Sequence, residues 1–448
     1  MHFPSISITS LVANEMKGDD KWDGSVRGAD GCIYGVPFCA RRVLKFNPAD
    51  NSTTFIGPDL GDGKCKWSGG TLANNGSIYC NPFHSDKVLK IDTISQAVTL
   101  LDAALPESGD CKWASGACAT DGNIYCMPCT ARSILKINSS NDAVSSVGVG
   151  EDDTDILEIS GFKFLGTVVA GNDHCVYGIP HDYWCVLKFD HRNQRMTEIG
   201  AMFDGPYKCG SGTVGRDGRI YALSDEGFLL TMDVTIAENE YYNDMEDSCT
   251  EWMRAFTTYE EGANYGDGIL GDDGCIYWPP VNACQVLKFD PGTSEAAPVE
   301  GVLNGIGKWT SGASALNGVI YCLPSFASQI LAIDSSQEFR RLLKDGMERH
   351  PENLGNLFEL RVHEYTEYEC AVAKYGPDKT FQIIKEFIPL NSVCERTNLY
   401  SFMVAASCRN CDVDVIYFLL RGDPSFIISC GDKHERRLGD SLNHFDGC

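Results

Sequence analysis

Between Trp67 and Leu101, apolar and polar residues alternate in four short runs separated by turn residues. Trp67 to Ala73 carries Gly69 and Gly70, which suits a strand packed close to other backbones. Asn75-Gly76 predicts a tight hairpin of type I′, because both central positions of that turn need φ > 0. Ser77 to Cys80 follows as a second strand, and Pro82 ends its ladder. Val88 to Ile91 and Ala97 to Leu101 complete four antiparallel strands, the content of one propeller blade.

The unit recurs. Its Ile-Tyr pair returns at Ile33-Tyr34, Ile78-Tyr79, Ile124-Tyr125, Val176-Tyr177, Ile220-Tyr221, Ile276-Tyr277 and Ile320-Tyr321, at spacings of 45, 46, 52, 44, 56 and 44 by subtraction. Asp-Gly or Asn-Gly precedes each pair except the fourth, which has Asp173-His174. A proline follows each Tyr by three residues except in the fifth copy, where Ser224 stands. Seven four-stranded copies with a period of roughly 40–50 residues predict a seven-bladed β-propeller over residues 1–345.

Third strands repeat as VLKF from Val43, VLKI from Val88, ILKI from Ile134, VLKF from Val186, VLKF from Val286 and ILAI from Ile330, with LLTM from Leu229 in the fifth copy. Both faces of a blade pack on neighbours, so these lysines read as structural, their stems along the packing and their heads outward. An acidic insertion in the fifth copy precedes a strand expected at Met253 to Thr258. Two segments can supply the seventh outer strand, Glu338 to Leu343 or the N-terminal Ser5 to Val12. N-terminal closure is the preferred reading, since a closed ring leaves no sheet edge.

Beyond residue 345 the pattern changes, so the fold class is mainly β with a C-terminal α-helical segment. Pro351-Glu352-Asn353 opens a helix expected to about Lys374, and Pro377-Asp378 another to about Ile388. In Thr397 to Ile427, Val413, Ile416, Tyr417, Leu419 and Leu420 have helical spacing. This segment resembles one ankyrin repeat, with Leu399 and Ala405-Ala406 in its first helix and Leu419-Leu420 in its second. The helical region is expected over 346–429, with a mobile tail at 430–448.

A net charge of −25 argues against non-specific nucleic-acid binding, which needs many Lys and Arg against phosphate. It argues equally against an anionic membrane surface. No run approaches the ~18 apolar residues of a membrane helix. No secretory leader is visible at the start, so the 21 cysteines are expected to be reduced thiols in the cytoplasm. Cys126 and Cys129 form a C-x-x-C, but Cys80, Cys126 and Cys322 share one slot of the repeat, which makes it structural. Cys408 and Cys411 form a second such pair.

Eleven residues before each Ile stand Trp22, Trp67, Trp113, Leu165, Cys209, Tyr265 and Trp309. Just ahead of them are Lys21, Lys66, Lys112, Phe164, Lys208, Asn264 and Lys308. Innermost strands start near the central channel, so five lysines and four tryptophans are expected around one mouth. Such a ring suits an anionic or aromatic ligand. The alternative is that Trp wedges between blades and Lys pairs with a turn Asp. His84, His174, His181 and His191 all fall in turns, no phosphate loop is present, and neither a metal nor a cofactor is expected.

The repeat resembles the seven-bladed propellers of the NHL, YVTN and streptogramin-lyase group, whose blades carry a D-G-x-[IL]-[YW] hairpin. The kelch order differs, since Trp67 here precedes Gly69-Gly70 and Tyr79. The resemblance implies a propeller over residues 20–335. It implies either a binding scaffold or an enzyme of lyase or lactonase type, and such a lyase needs a His beside a metal-held substrate. No His stands at a matching strand position. The residues therefore favour a non-enzymatic module that binds a protein partner or small anion through one propeller face and the helical tail.

Overall fold

The computed structural model describes residues 8–12, 18–147, 161–169, 173–200, 209–224, 227–234, 250–254, 264–335, 393–394 and 399–400. The chain divides into two compact units, Met1–Ser335 and Ser336–Cys448. The first is a seven-bladed propeller of four-stranded antiparallel sheets. Blade one, for example, runs Trp22–Arg27, Ile33–Pro37, Val43–Asn47 and Ser52–Ile56 from the axis outward. In blade five the outer strand is Thr250–Arg254, three residues before the expected start.

Blade seven is made from both ends of the repeat. Ile8–Val12 pairs antiparallel with Gln329–Asp334, from Ile8↔Ile333 to Val12↔Gln329. N-terminal closure is therefore the arrangement adopted, and the Gln329–Asp334 edge is covered.

The core lies between blades rather than within them. Seven clusters of buried side chains each span one pair of adjacent blades. In the cluster between blades one and two, Tyr34, Val36 and Val43 meet Trp67, Ile78 and Leu89. Alternation explains this: successive residues of a strand face opposite sides, so each middle strand serves two joints. Ile33–Pro37 is accordingly buried at all five positions. Glycine lets the innermost strands approach. A Cβ on Gly24 would lie 2.8 Å from the Gly69 Cα, across the joint between blades one and two.

The hairpins differ from the expected type I′. Gly76 has φ 79°, but Asn75 is absent from the positive-φ residues. Gly76 N–H donates to Ala73 O at 3.0 Å, and Ala73 N–H to Ser77 O at 2.9 Å. This is a type I turn closed by a left-handed glycine, the three-residue hairpin with a bulge. The Asx side chain then has two jobs. Asp30 Oδ1 accepts from Cys32 N–H at 3.1 Å, and Asp30 Oδ2 accepts from Tyr34 Oη at 2.8 Å. Lys45, which faces Tyr34 across the sheet, adds an ion pair to Asp30 at 2.8 Å. Blades four and six repeat the triad with Asp173, Tyr177, Lys188 and with Asp273, Tyr277, Lys288. The third-strand lysines thus hold the hairpins as well as lie along the packing.

In the second unit, Val393–Cys394 pairs antiparallel with Leu399–Tyr400. Leu399 is therefore in a strand, not in the first helix of an ankyrin-like repeat. β-Prone Val393, Leu399 and Tyr400 suit that pairing. The other helical expectations over 351–374, 378–388 and 397–427, the tail at 430–448 and the Cys408–Cys411 pair lie outside the described residues.

Removing residues 1–12 should lower the melting temperature and bring concentration-dependent aggregation, because it bares the Gln329–Asp334 edge. An unchanged melting curve and a monomeric profile by light scattering would contradict closure by the N-terminus.

Candidate functional site: one mouth of the ring

In blades one to four and seven the innermost strand is entered through a turn that ends at a buried lysine, Lys21, Lys66, Lys112, Lys163 or Lys308, and blade six has Asn264 in that place. Lys21, Lys66, Lys112 and Lys308 are all buried, with Lys112 only 1% exposed. Their amines point back into the turn. Nζ donates to the carbonyl three residues earlier in every case: Gly18 at 2.7 Å, Gly63 at 2.7 Å, Gly109 at 2.6 Å and Gly305 at 2.6 Å. The residue before the lysine is left-handed: Asp20 (φ 47°), Cys65 (φ 53°), Cys111 (φ 57°) and Gly307 (φ 59°). The amine closes a turn that the backbone alone would hold poorly.

The same lysines tie neighbouring blades together. Lys112 Nζ also donates to Phe83 O at 3.1 Å, and Lys308 Nζ to Val281 O at 3.1 Å and Ala283 O at 2.9 Å, all on the preceding blade. Lys308 thereby uses its three donors. The main chain does likewise. Lys66 N–H donates to Phe38 O of blade one at 2.8 Å, and Lys66 O accepts from Phe83 and Ser85 N–H of its own blade. Lys21, Lys112, Lys163 and Lys308 repeat this pattern, and Asn264 O accepts in the same way from Val281 N–H. Burial pushes all these lysine amines below their ordinary range.

The tryptophans beside them wedge between blades. Each donates its Nε1–H to the carbonyl twenty residues on: Trp22 to Arg42, Trp67 to Lys87, Trp113 to Ser133 and Trp309 to Gln329, at 2.8–3.0 Å. Lys208 lies outside the described residues.

Blade four contains a lysine that sequence spacing missed. Its innermost strand is Phe164–Val169, and Phe164 pairs with Pro180 as Trp67 pairs with Pro82. The Lys-aromatic pair is therefore Lys163-Phe164, not Phe164-Leu165. Six residues join the paired Val169 and Val176, against five between Leu72 and Ile78, so an offset of eleven lands one residue late. The Lys-aromatic dipeptide itself was the available signal. Lys163 is 1% exposed, and burial pushes its amine down to about 8.

On the rim of the mouth, Gly18, Asp19, Lys21, Trp22, Cys39, Ala40, Arg41, Arg42, Phe55 and Asp59 line a cavity of about 380 Å³. Phe55 stacks on Trp22 with ring centroids 6.0 Å apart and planes 16° apart. Arg41 is paired with Asp59 at 2.6 Å. The exposed Arg42 guanidinium makes no side-chain hydrogen bond or ion pair among the described residues, though its charge helps hold the Asp59 carboxyl below its ordinary range.

Near the start of the innermost strands stand Ser68, Ser115, Ser211 and Ser311, with carboxylates at Asp23 and Asp267. Ser68 Oγ donates to Asp23 at 2.7 Å. Asp267 is exposed to solvent, and the surrounding protein and then the Asp23 charge push its carboxyl upward. Among the described residues, no group of three or more His, Cys, Asp or Glu is placed to hold a metal ion.

The propeller is similar to streptogramin B lyase, at 10% identity and TM-score 0.58 over 73% of this chain and 97% of that one. It is also similar to virginiamycin B lyase from Staphylococcus aureus, at 11% identity and TM-score 0.58 over 73% and 99%. A third likeness is to the extracellular domain of a putative hybrid two-component system from B. thetaiotaomicron. There identity is 10% and TM-score 0.55, over 74% of this chain and 43% of that one. At such identities the likeness is one of fold. No family model matches the chain, and no curated protein matches it.

Lys163 gives a pH test. Its folded pKa of about 8 lies below the ordinary 10.5. Between those values the unfolded chain holds a proton that the folded chain has lost, so this group's contribution to stability rises with pH across that window. Below about pH 8 it contributes no slope. Denaturant unfolding should show the wild type gaining on Lys163→Met between pH 8 and pH 10. A difference independent of pH would contradict the buried, depressed amine.

Proposed function

We propose that this chain is a binding module that receives an acidic protein segment or a small anion at the lysine-built mouth. One observation carries the reading: the mouth repeats a rigid main-chain joint while the side chains mounted on it differ from blade to blade. The residues just after the second strand are Phe38-Cys39, Phe83-His84, Cys129-Thr130, His181-Asp182, Val281-Asn282 and Ser325-Phe326. Varied loops on a rigid ring make a recognition surface.

The cavity on blade one sets the chemistry. An exposed Arg42 guanidinium beside the stacked Trp22 and Phe55, held by no hydrogen bond among the described residues and sharing the Asp59 carboxylate only through its charge, suits a carboxylate carried on an apolar or planar group. Lys21, Lys66, Lys112 and Lys308 act by fixing the loops, and Lys21 with Trp22 also lines the cavity. The overall charge of −25 repels an acidic partner at long range, so binding rests on this local patch.

Titration calorimetry with a hexaglutamate peptide, inorganic phosphate and sulfate tests the proposal. At least one should bind the wild type, weakening with salt. Arg42→Glu and Phe55→Ala should each weaken it tenfold or more while leaving the melting temperature unchanged. No binding by any of the three, or equal binding by Arg42→Glu, would overturn the reading.

A further inference from the structure

One position of the mouth is chemically unlike its repeats. The residue before the latch lysine is left-handed in four blades, and in two of them it is a cysteine. Cys65 and Cys111 thus occupy the same slot, each half-buried and each beside a lysine that clamps its turn. A left-handed conformation is uncommon for a residue that is neither Gly, Asn nor Asp and persists only where the surroundings hold it. Neither thiol is an inert core group of the kind seen at Cys80, Cys126 and Cys322, which are fully buried.

What differs is the residue that the preceding blade lays against the thiol. Opposite Cys65 the slot after Phe38 holds Cys39. Opposite Cys111 the slot after Phe83 holds His84. His84 Nε2 lies 3.3 Å from Cys111 Sγ, within hydrogen-bond reach of a thiol. Its other ring nitrogen, Nδ1, lies 3.8 Å from Asp110 Oδ1. The imidazole is fixed on two further sides. Its ring stacks on Phe83 at 5.2 Å with planes 5° apart, and its backbone N–H donates to Cys65 O at 3.0 Å. A thiol with a base within hydrogen-bond reach is the core of an activated nucleophile, and here the exposed Asp110 carboxylate lies near the base's other nitrogen, beyond hydrogen-bond distance.

From this geometry we infer that Cys111 is a reactive thiol, with His84 as its base, that adds to soft carbon electrophiles of the α,β-unsaturated carbonyl class. In the addition Cys111 Sγ forms a bond to the β-carbon as its proton passes to His84 Nε2. The alkene electron pair moves toward the carbonyl oxygen, and the imidazolium returns the proton to the α-carbon. The net change is S–H added across C=C, with no oxidant or reductant. Half-burial and the Asp110 charge raise the thiol, while Lys112 lowers it, so Cys111 rests protonated and depends on His84 at the moment of attack. Cys65, also raised by burial, to about 11, has Cys39 in place of that base. It is a control built into the same molecule.

The test is time-resolved labelling of the native full chain with N-ethylmaleimide at neutral pH, followed by peptide mapping. Cys111 should label at least tenfold faster than Cys65, in line with the gain that a positioned base gives. In His84→Gln the Cys111 rate should fall to that of Cys65, with the Cys65 rate and the melting temperature unchanged. A Cys111 rate within threefold of Cys65 in the wild type, a reading that needs no variant, would overturn the inference. So would an undiminished rate in a folded His84→Gln.

Discussion

A backbone carbonyl turned inward without a donor costs a folded protein about 1–3 kcal/mol, and a propeller makes such carbonyls at every blade joint. The chain leaves an outer strand, crosses to the axis and starts the next blade through a tight turn. Here a buried lysine amine answers the problem. It lies along its own turn, donates to the carbonyl three residues back, and at Lys112 and Lys308 reaches the preceding blade as well. A charged donor makes a stronger bond than a neutral one, which offsets part of the cost of burying it. The depressed amine of Lys163 shows that this cost is real.

The opposite ends of the blades are fastened differently. There the hairpin aspartate accepts from the tyrosine hydroxyl and pairs with the third-strand lysine, partly open to solvent. Blades one and four thus carry a buried lysine at one end and an Asp-Lys ion pair at the other, with packed aliphatic and aromatic side chains between. Loops at the lysine end are free to vary in side chain because their main chain is already held. That separation lets one joint carry Arg42 and Phe55 and another carry Cys111 and His84 without loss of the ring.

Much of this was legible in the sequence. The Ile-Tyr pairs, the Asx-Gly turns and the VLK strands fix seven blades, since each is a local demand of strand or turn geometry. The lysine ring was legible as a set, and a structural role with Trp wedged between blades was one of its two readings, but the partner expected was a turn Asp and the one found is a turn carbonyl. The Gly-x-x-Lys spacing at Gly18, Gly63, Gly109 and Gly305 held the clue, pointing from amine to carbonyl. Lys163 was missed because one extra hairpin residue broke a fixed offset. The Cys111–His84 pair was invisible for a plainer reason: the two residues belong to adjacent blades and are joined only through the Phe83 and Lys112 main chain.

The most direct test of the lysine joint compares two substitutions by denaturant unfolding. Lys112→Met keeps the buried stem and removes the amine, leaving the Gly109 and Phe83 carbonyls without it. The account predicts a loss of about 2 kcal/mol or more. Lys87→Met removes an exposed lysine paired with an exposed Asp102, and should change stability by less than about 0.5 kcal/mol. Equal, small effects from both would mean that the buried amines do not hold the ring.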